Sequence, residues 1–174
     1  MDMTTIIAYL ENSWRNAPWE LVLQLCVSAA LGGIIGFERE YHHKAAGFRT
    51  HFLVALGSTL FTILSRSVLS WGGSAMTDPT RIAAQIITGI GFIGAGAILR
   101  KDDRIEGLTT AAGIWATAAI GMAVGLGLYF ISAVSVLLIY VMRFISKFVN
   151  RTIDKVKQQN GQISDHIRNH NQKN

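Results

Sequence analysis

A chain of 174 residues, half of them hydrophobic and carrying a net charge of +5, is long enough for one compact domain. Its hydrophobic residues gather in long blocks between positions 19 and 145 with no polar face recurring at helical or strand period, which excludes a water-soluble domain. The basic residues stand beside those blocks, so their charge points to lipid headgroups and away from nucleic acid, and the single cysteine, Cys26, excludes an intramolecular disulfide or a cysteine-rich zinc site.

Residues 1–18 are expected to form an outer segment. They lack both the basic start and the apolar stretch of a cleavable signal peptide, so insertion is assigned to the first span. That span, 19–37, sets Ser28, Gly32 and Gly36 four apart, on one face of a helix. Lipid tails are as apolar as leucine, so membrane helices associate through such small residues, within one protomer or between two copies. The span runs directly into Glu38, Arg39 and Glu40, then His42 and His43, and a basic bend containing Lys44, Arg49 and Thr50 leads to the second span, 52–69. Arg66 near its end is expected to snorkel outward.

Asp78 and Pro79 open the third span, 82–99, in good chemical order. Asp at the N-cap accepts from an orphan backbone N–H, and Pro at the first position has none to leave unmet. Arg81 and Gln85 lie four apart on one face. A glutamine in an apolar span costs free energy unless it bonds to a neighbouring helix or to a substrate. Gly89, Gly91, Gly94 and Gly96 contain the string G-x-G-x-x-G, but no preceding strand and no acidic residue about twenty positions on accompany it, so a dinucleotide site is rejected. The run is either a straight, thin helix against which neighbours pack or a helix broken so that backbone lines a cavity, as in transporters.

The bend after it carries Arg100, Lys101, Asp102, Asp103, Arg104 and Glu106. Magnesium takes oxygen ligands, usually one or two carboxylates plus water, so Glu38 and Asp102 are the candidate metal contacts if the two bends adjoin; solvated or paired charges are the other account of them. No other cofactor is implied, and with no nucleophile–base pair or metal triad in the sequence, no enzyme activity is assigned. The fourth span, 108–126, begins after Gly107 with Thr109 and Thr110 and repeats the small-residue ridge in Gly113, Thr117, Gly121 and Gly125. A tight turn at Gly125-Leu126-Gly127 returns the chain into the fifth, 128–145. The tail, 146–174, starts as a basic amphipathic helix suited to anionic lipid and ends in Asn, Gln, His and Lys of disordered composition.

The fold class is therefore all-α: a polytopic membrane bundle of about five transmembrane helices over 19–145. Thirteen lysines and arginines fall in the first and third bends, at the end of the fifth span (Arg143) and in the tail, against Arg15, Arg66 and Arg81 elsewhere. Cytoplasmic loops retain positive charge, so the N-terminus faces outward and the C-terminus the cytoplasm. Gly36 and Gly96, Gly47 and Gly107, and Thr50 and Thr110 each stand 60 residues apart, the pattern of two hairpins related by an axis along the membrane normal.

Four ordered stretches, GGIIGFERE, AAGFRTHFLVALGS, DPTRIAAQIITGIGFIGAGAIL and EGLTTAAGIWATAAIG, make the chain resemble the MgtC/SapB family of bacterial inner-membrane proteins over residues 31–127. The motif positions are Gly36, Glu38, Arg39, Gly47, Arg49, Thr50, Asp78, Arg81, Gln85, Gly89, Gly91, Gly94, Gly96, Gly107, Thr109 and Thr110, with Phe48 and Ile93 where many members carry Leu. The resemblance implies about five spans, an inner-membrane location, and links to adaptation to low magnesium, to survival of pathogens in host cells, and to partners such as ATP synthase or transport systems. Longer members carry an ACT-like domain after the last span, where this sequence has a short basic tail. A multi-pass regulatory protein that binds membrane partners is the leading expectation, and a conduit for magnesium or another cation the alternative.

Overall fold

The computed structural model describes residues 19–70, 80–101 and 104–149. In hydrocarbon every backbone polar group must be satisfied within the segment, so the apolar blocks become helices. The two prolines of the chain, Pro18 and Pro79, each stand immediately before a helix start, where a missing N–H costs nothing. Helix α1 spans Trp19–Tyr41, α2 Phe48–Ser70 and α3 Thr80–Gly96. A two-stranded hairpin follows, β1 Leu99–Lys101 and β2 Arg104–Glu106, and then α4, Leu108–Gly125. Helix α5, Tyr129–Val149, completes the order.

Four of these helices are long and apolar enough to cross a membrane: α1, α2 over Phe48–Arg66, α4 and α5. With 17 residues, α3 is shorter, about 26 Å at 1.5 Å per residue. The chain is an all-α membrane bundle with one small hairpin. Asp78, Asp102, the segment 1–18 and the tail beyond Val149 lie outside the described residues, as does the side chain of Arg81.

Helix boundaries depart from the hydropathy blocks for local reasons. Helix α1 continues past Phe37 and takes Arg39 and Glu40 into its last turn. It closes with His43 in the left-handed region (φ 51°), where His43 N donates to Glu40 O at 2.9 Å and Lys44 N to Arg39 O at 3.0 Å. This is the six-to-one and five-to-two pairing that satisfies terminal carbonyls, usually built on glycine. Helix α4 closes in the same way on Gly127 (φ 81°), with Gly127 N to Val124 O and Leu128 N to Ala123 O. Helix α2 starts four residues before the expected 52, because the Glu40 carboxylate accepts from Phe48 N at 2.8 Å and caps its first turn.

The third span was expected to reach 99 but stops at Gly96. Leu99 pairs instead with Glu106, Arg100 with Ile105 and Lys101 with Arg104, in an antiparallel ladder joined by two residues. Gly107 (φ 92°) then redirects the chain into α4, so close to the carbonyl of Ala97 that no side chain fits. The 60-residue spacing therefore places both α2 and α4 directly after a glycine, but the turns before them differ, a Schellman turn on one side and a hairpin on the other.

The chain divides into two units, one through Val134 and one from Ser135. In the first, the core lies among α1, α2, α3 and α4 and is built on Ile35, Val54, Ala55, Ile86, Ile114 and Val124. The described part of the second is the remainder of α5, in which the Arg143 guanidinium stands 6.0 Å from the centre of the Tyr140 ring.

Candidate functional site

Helices α1, α2 and α4 touch along glycines. A Cβ added to Gly32 would stand 2.6 Å from both Ala55 Cβ and His51 O, and one on Gly36 would stand 2.7 Å from Phe48 Cα. Gly121 lies against the backbone of Ala55, and Gly125 against Thr62 and the carbonyl of Thr59. The glycines of α3 behave differently. Among the described residues nothing stands within 4 Å of the Cβ position at Gly89, Gly91 or Gly96, and Gly94 alone of the four approaches a neighbour, Ala111 Cβ at 3.6 Å. The α3 run is an unbroken helix, and it presents most of its glycines to open space.

Close approach of the three backbones brings a seam of buried polar side chains together. At the end carrying the two charged bends, Arg39 of α1 is 4% exposed and its Nη2 donates to Thr110 Oγ1 of α4 at 2.8 Å. The next bond along the seam joins His51 Nδ1 and Thr117 Oγ1 at 2.8 Å, with Thr117 Oγ1 also 2.8 Å from Gly113 O. A carbonyl only accepts, so the Thr117 hydroxyl donates to Gly113 and His51 donates from Nδ1. The same reasoning orders the middle of the seam. Thr59 Oγ1 lies 2.6 Å from Ser28 Oγ and 2.7 Å from Gly121 O, so Thr59 donates to the carbonyl and accepts from Ser28. At the far end Arg66 Nη1 donates to Gly125 O at 2.8 Å, a cation at the negative end of the α4 dipole. Arg66 thus reaches across to α4, where snorkelling had been expected. Gln24, one turn before Ser28, is 1% exposed, and neither amide atom has a hydrogen-bond partner among the described residues.

Of the residues singled out from sequence, Arg39 and Thr110 are thus joined across 71 positions. Glu38 is half-buried and its Oε1 lies 3.6 Å from His42 Nδ1. Arg49 and Thr109 are exposed and Thr50 is half-buried. Gln85 lies apart from them, exposed along a groove between α2 and α3. Among the described residues no three His, Cys, Asp or Glu side chains come together to hold a metal, and Glu38 is the one metal candidate of the pair that is described. Sequence reasoning missed Glu40 as a cap, and missed Gln24, Ser28, His51 and Thr59 as one seam. The signal existed on α1, where Gln24, Ser28, Gly32 and Gly36 repeat at four and Arg39 follows three residues on, on the same helix face.

What this arrangement can do is bind and hold. The Arg39–Thr110 bond clamps the α1–α2 turn to the start of α4, and the short hairpin adjoins that start, so Lys44, Arg49, Arg104 and Glu106, all exposed, stand on bends tied to one end of the bundle. A small polytopic membrane protein with a glycine-packed, hydrogen-bonded helical core and charged bends at one end is the class these features define. The sequence profile of the MgtC family matches residues 25–152, and the chain belongs to that family. It is 52% identical over 114 residues to "Putative magnesium transporter YhiD" of Escherichia coli (strain K12), covering 63% of this chain and 53% of that protein. It is 46% identical over 116 residues to Protein MgtC of Brucella abortus (strain 2308), covering 66% and 47%. It is 44% identical over 121 residues to Protein SapB of Bacillus subtilis (strain 168), covering 67% and 52%. The chain spans about half the length of these curated relatives. No solved structure matches it.

Proposed function

We propose that this protein is a multi-pass regulatory protein of the inner membrane that acts by binding other membrane proteins through its charged end. In the proposed orientation the N-terminus is outside, and both charged bends and the tail are cytoplasmic, as the distribution of lysine and arginine favours. The observation that carries the reading is the buried Arg39–Thr110 bond. A buried arginine is held in place by its hydrogen bonds, and this one fixes two bends far apart in sequence as one preformed surface, which lowers the ordering cost of docking a partner. The partners are membrane machines such as ATP synthase or transport systems, and the setting, adaptation to low magnesium and virulence, is carried from the family resemblance.

The test is crosslinking in living cells from a photoreactive residue at Lys44 or Arg104. A defined complex, weakened by Arg39→Gln while the helix content of the variant stays at the parent level, supports the reading; no complex from either position defeats it. Cysteine labelling at position 44 from inside but not outside is the matching result for orientation.

The name of the 52% identical relative favours a second reading, a conduit for magnesium. Purified protein in liposomes separates the two. Magnesium flux that Glu38→Gln or Gln85→Leu abolishes selects the conduit, and vesicles that stay tight reject it.

A further inference from the structure

Beside the seam, α2 and α3 leave a groove of about 510 Å³ between them, lined by Gly57, Ser58 and Phe61 of α2 and Gln85, Gly89 and Ile93 of α3. Gly57 is the middle residue of the Phe48–Arg66 span, so the groove is centred in the apolar layer. Gln85 is one turn from Gly89 along α3, and its carboxamide therefore sits within hydrocarbon, about 6 Å of helix rise from the groove centre. It is exposed and makes no hydrogen bond to the described residues. Among the described residues no atom lies within 4 Å of a Cβ built on Gly57 or Gly89, so both walls offer bare backbone to an incoming helix.

Acyl chains fill such a groove but give the carboxamide nothing to bond to, and an amide alone in hydrocarbon is costly. Gln85 is instead complementary to itself. Its NH2 is the positive end of the amide dipole and its C=O the negative end, so about a two-fold axis each copy donates to the carbonyl of the other and accepts from its NH2. We propose that the α2–α3 groove is the interface between two copies of this chain, with α3 of each seated in the groove of the other and the two Gln85 carboxamides hydrogen-bonded together. This pairing is independent of which partner the charged end takes.

The full chain with Cys26→Ala and one new cysteine tests it. Oxidation in native membrane vesicles links two copies through Gly89→Cys but not through Val22→Cys, which lies on an exposed face of α1. In mild detergent, light scattering gives the parent the mass of a dimer. Gln85→Leu raises the dimer dissociation constant about 3- to 20-fold, the worth of an interhelical hydrogen bond. Gln85→Asn, which keeps the amide, retains the dimer, and circular dichroism of Gln85→Leu matches the parent because that side chain bonds to none of the described residues of its own copy. A monomeric parent, equal linking from Val22→Cys, a dimer indifferent to Gln85→Leu, or a Gly89 crosslink to a different protein or to lipid would each overturn the proposal.

Discussion

Adding one methyl group at Gly32 measures how closely α1 and α2 are held. The new Cβ would stand 2.6 Å from Ala55 Cβ and 2.6 Å from His51 O. Carbon and oxygen settle at about 3.3 to 3.6 Å, so Gly32→Ala forces the two helices apart by roughly 1 Å. Overpacking of this kind costs about 1 to 3 kcal/mol. The same separation stretches the Ser28–Thr59 hydrogen bond, 2.6 Å in the parent, one turn away, adding about 0.6 kcal/mol and up to about 1.7. The expected loss is therefore about 1.6 to 4.7 kcal/mol, read from chemical unfolding in mixed micelles followed by circular dichroism. Ala55→Gly removes one of the two clashes but leaves the His51 carbonyl, so in the double variant the two losses are less than additive by about 0.5 kcal/mol or more. Gly91→Ala is the control. No described atom stands within 4 Å of that position, and alanine favours a helix interior over glycine by about 1 kcal/mol, so this variant is as stable as the parent or more so. If Gly32→Ala unfolds with the parent and Gly91→Ala does not, close backbone contact is not what holds α1 to α2.

Two further outcomes follow, one from a hydrogen bond and one from the backbone. Arg39→Met and Thr110→Val, combined in a double-mutant cycle, should show a coupling of about 1.5 to 3 kcal/mol, the range for a hydrogen bond to a charged group; a cycle that sums to zero would mean that the pair does not clamp the bends. His43 holds a left-handed conformation that costs a non-glycine residue about 1 to 2 kcal/mol, so His43→Gly is expected to raise the unfolding midpoint, and a midpoint at or below the parent's would mean that the turn stores no such strain.

Much of this protein was readable without coordinates. The membrane class and the helical class follow from long apolar blocks, because hydrocarbon leaves the backbone no partner but itself, and that constraint acts on each segment alone. Several ends were not readable, since Glu40 capping Phe48, the left-handed His43 and the ladder of Leu99 with Glu106 all involve residues whose type permits other conformations. The site divides in the same way. The sequence nominated Arg39 and Thr110 separately but could not pair them, and it passed over His51, just before the second span, and Thr59 within it.

The glycines show where the division lies. By sequence Gly32, Gly36, Gly89 and Gly91 are alike, small residues in apolar helices, and spacing alone determines only that each helix has a thin face. Which thin face meets a neighbour depends on how far each helix is rotated about its axis and slid along it, quantities set by all the contacts of the bundle together. Tertiary structure therefore decided that Gly32 is closed against Ala55 while Gly89 lies open on a groove, and the same rotations decided which buried donors found acceptors.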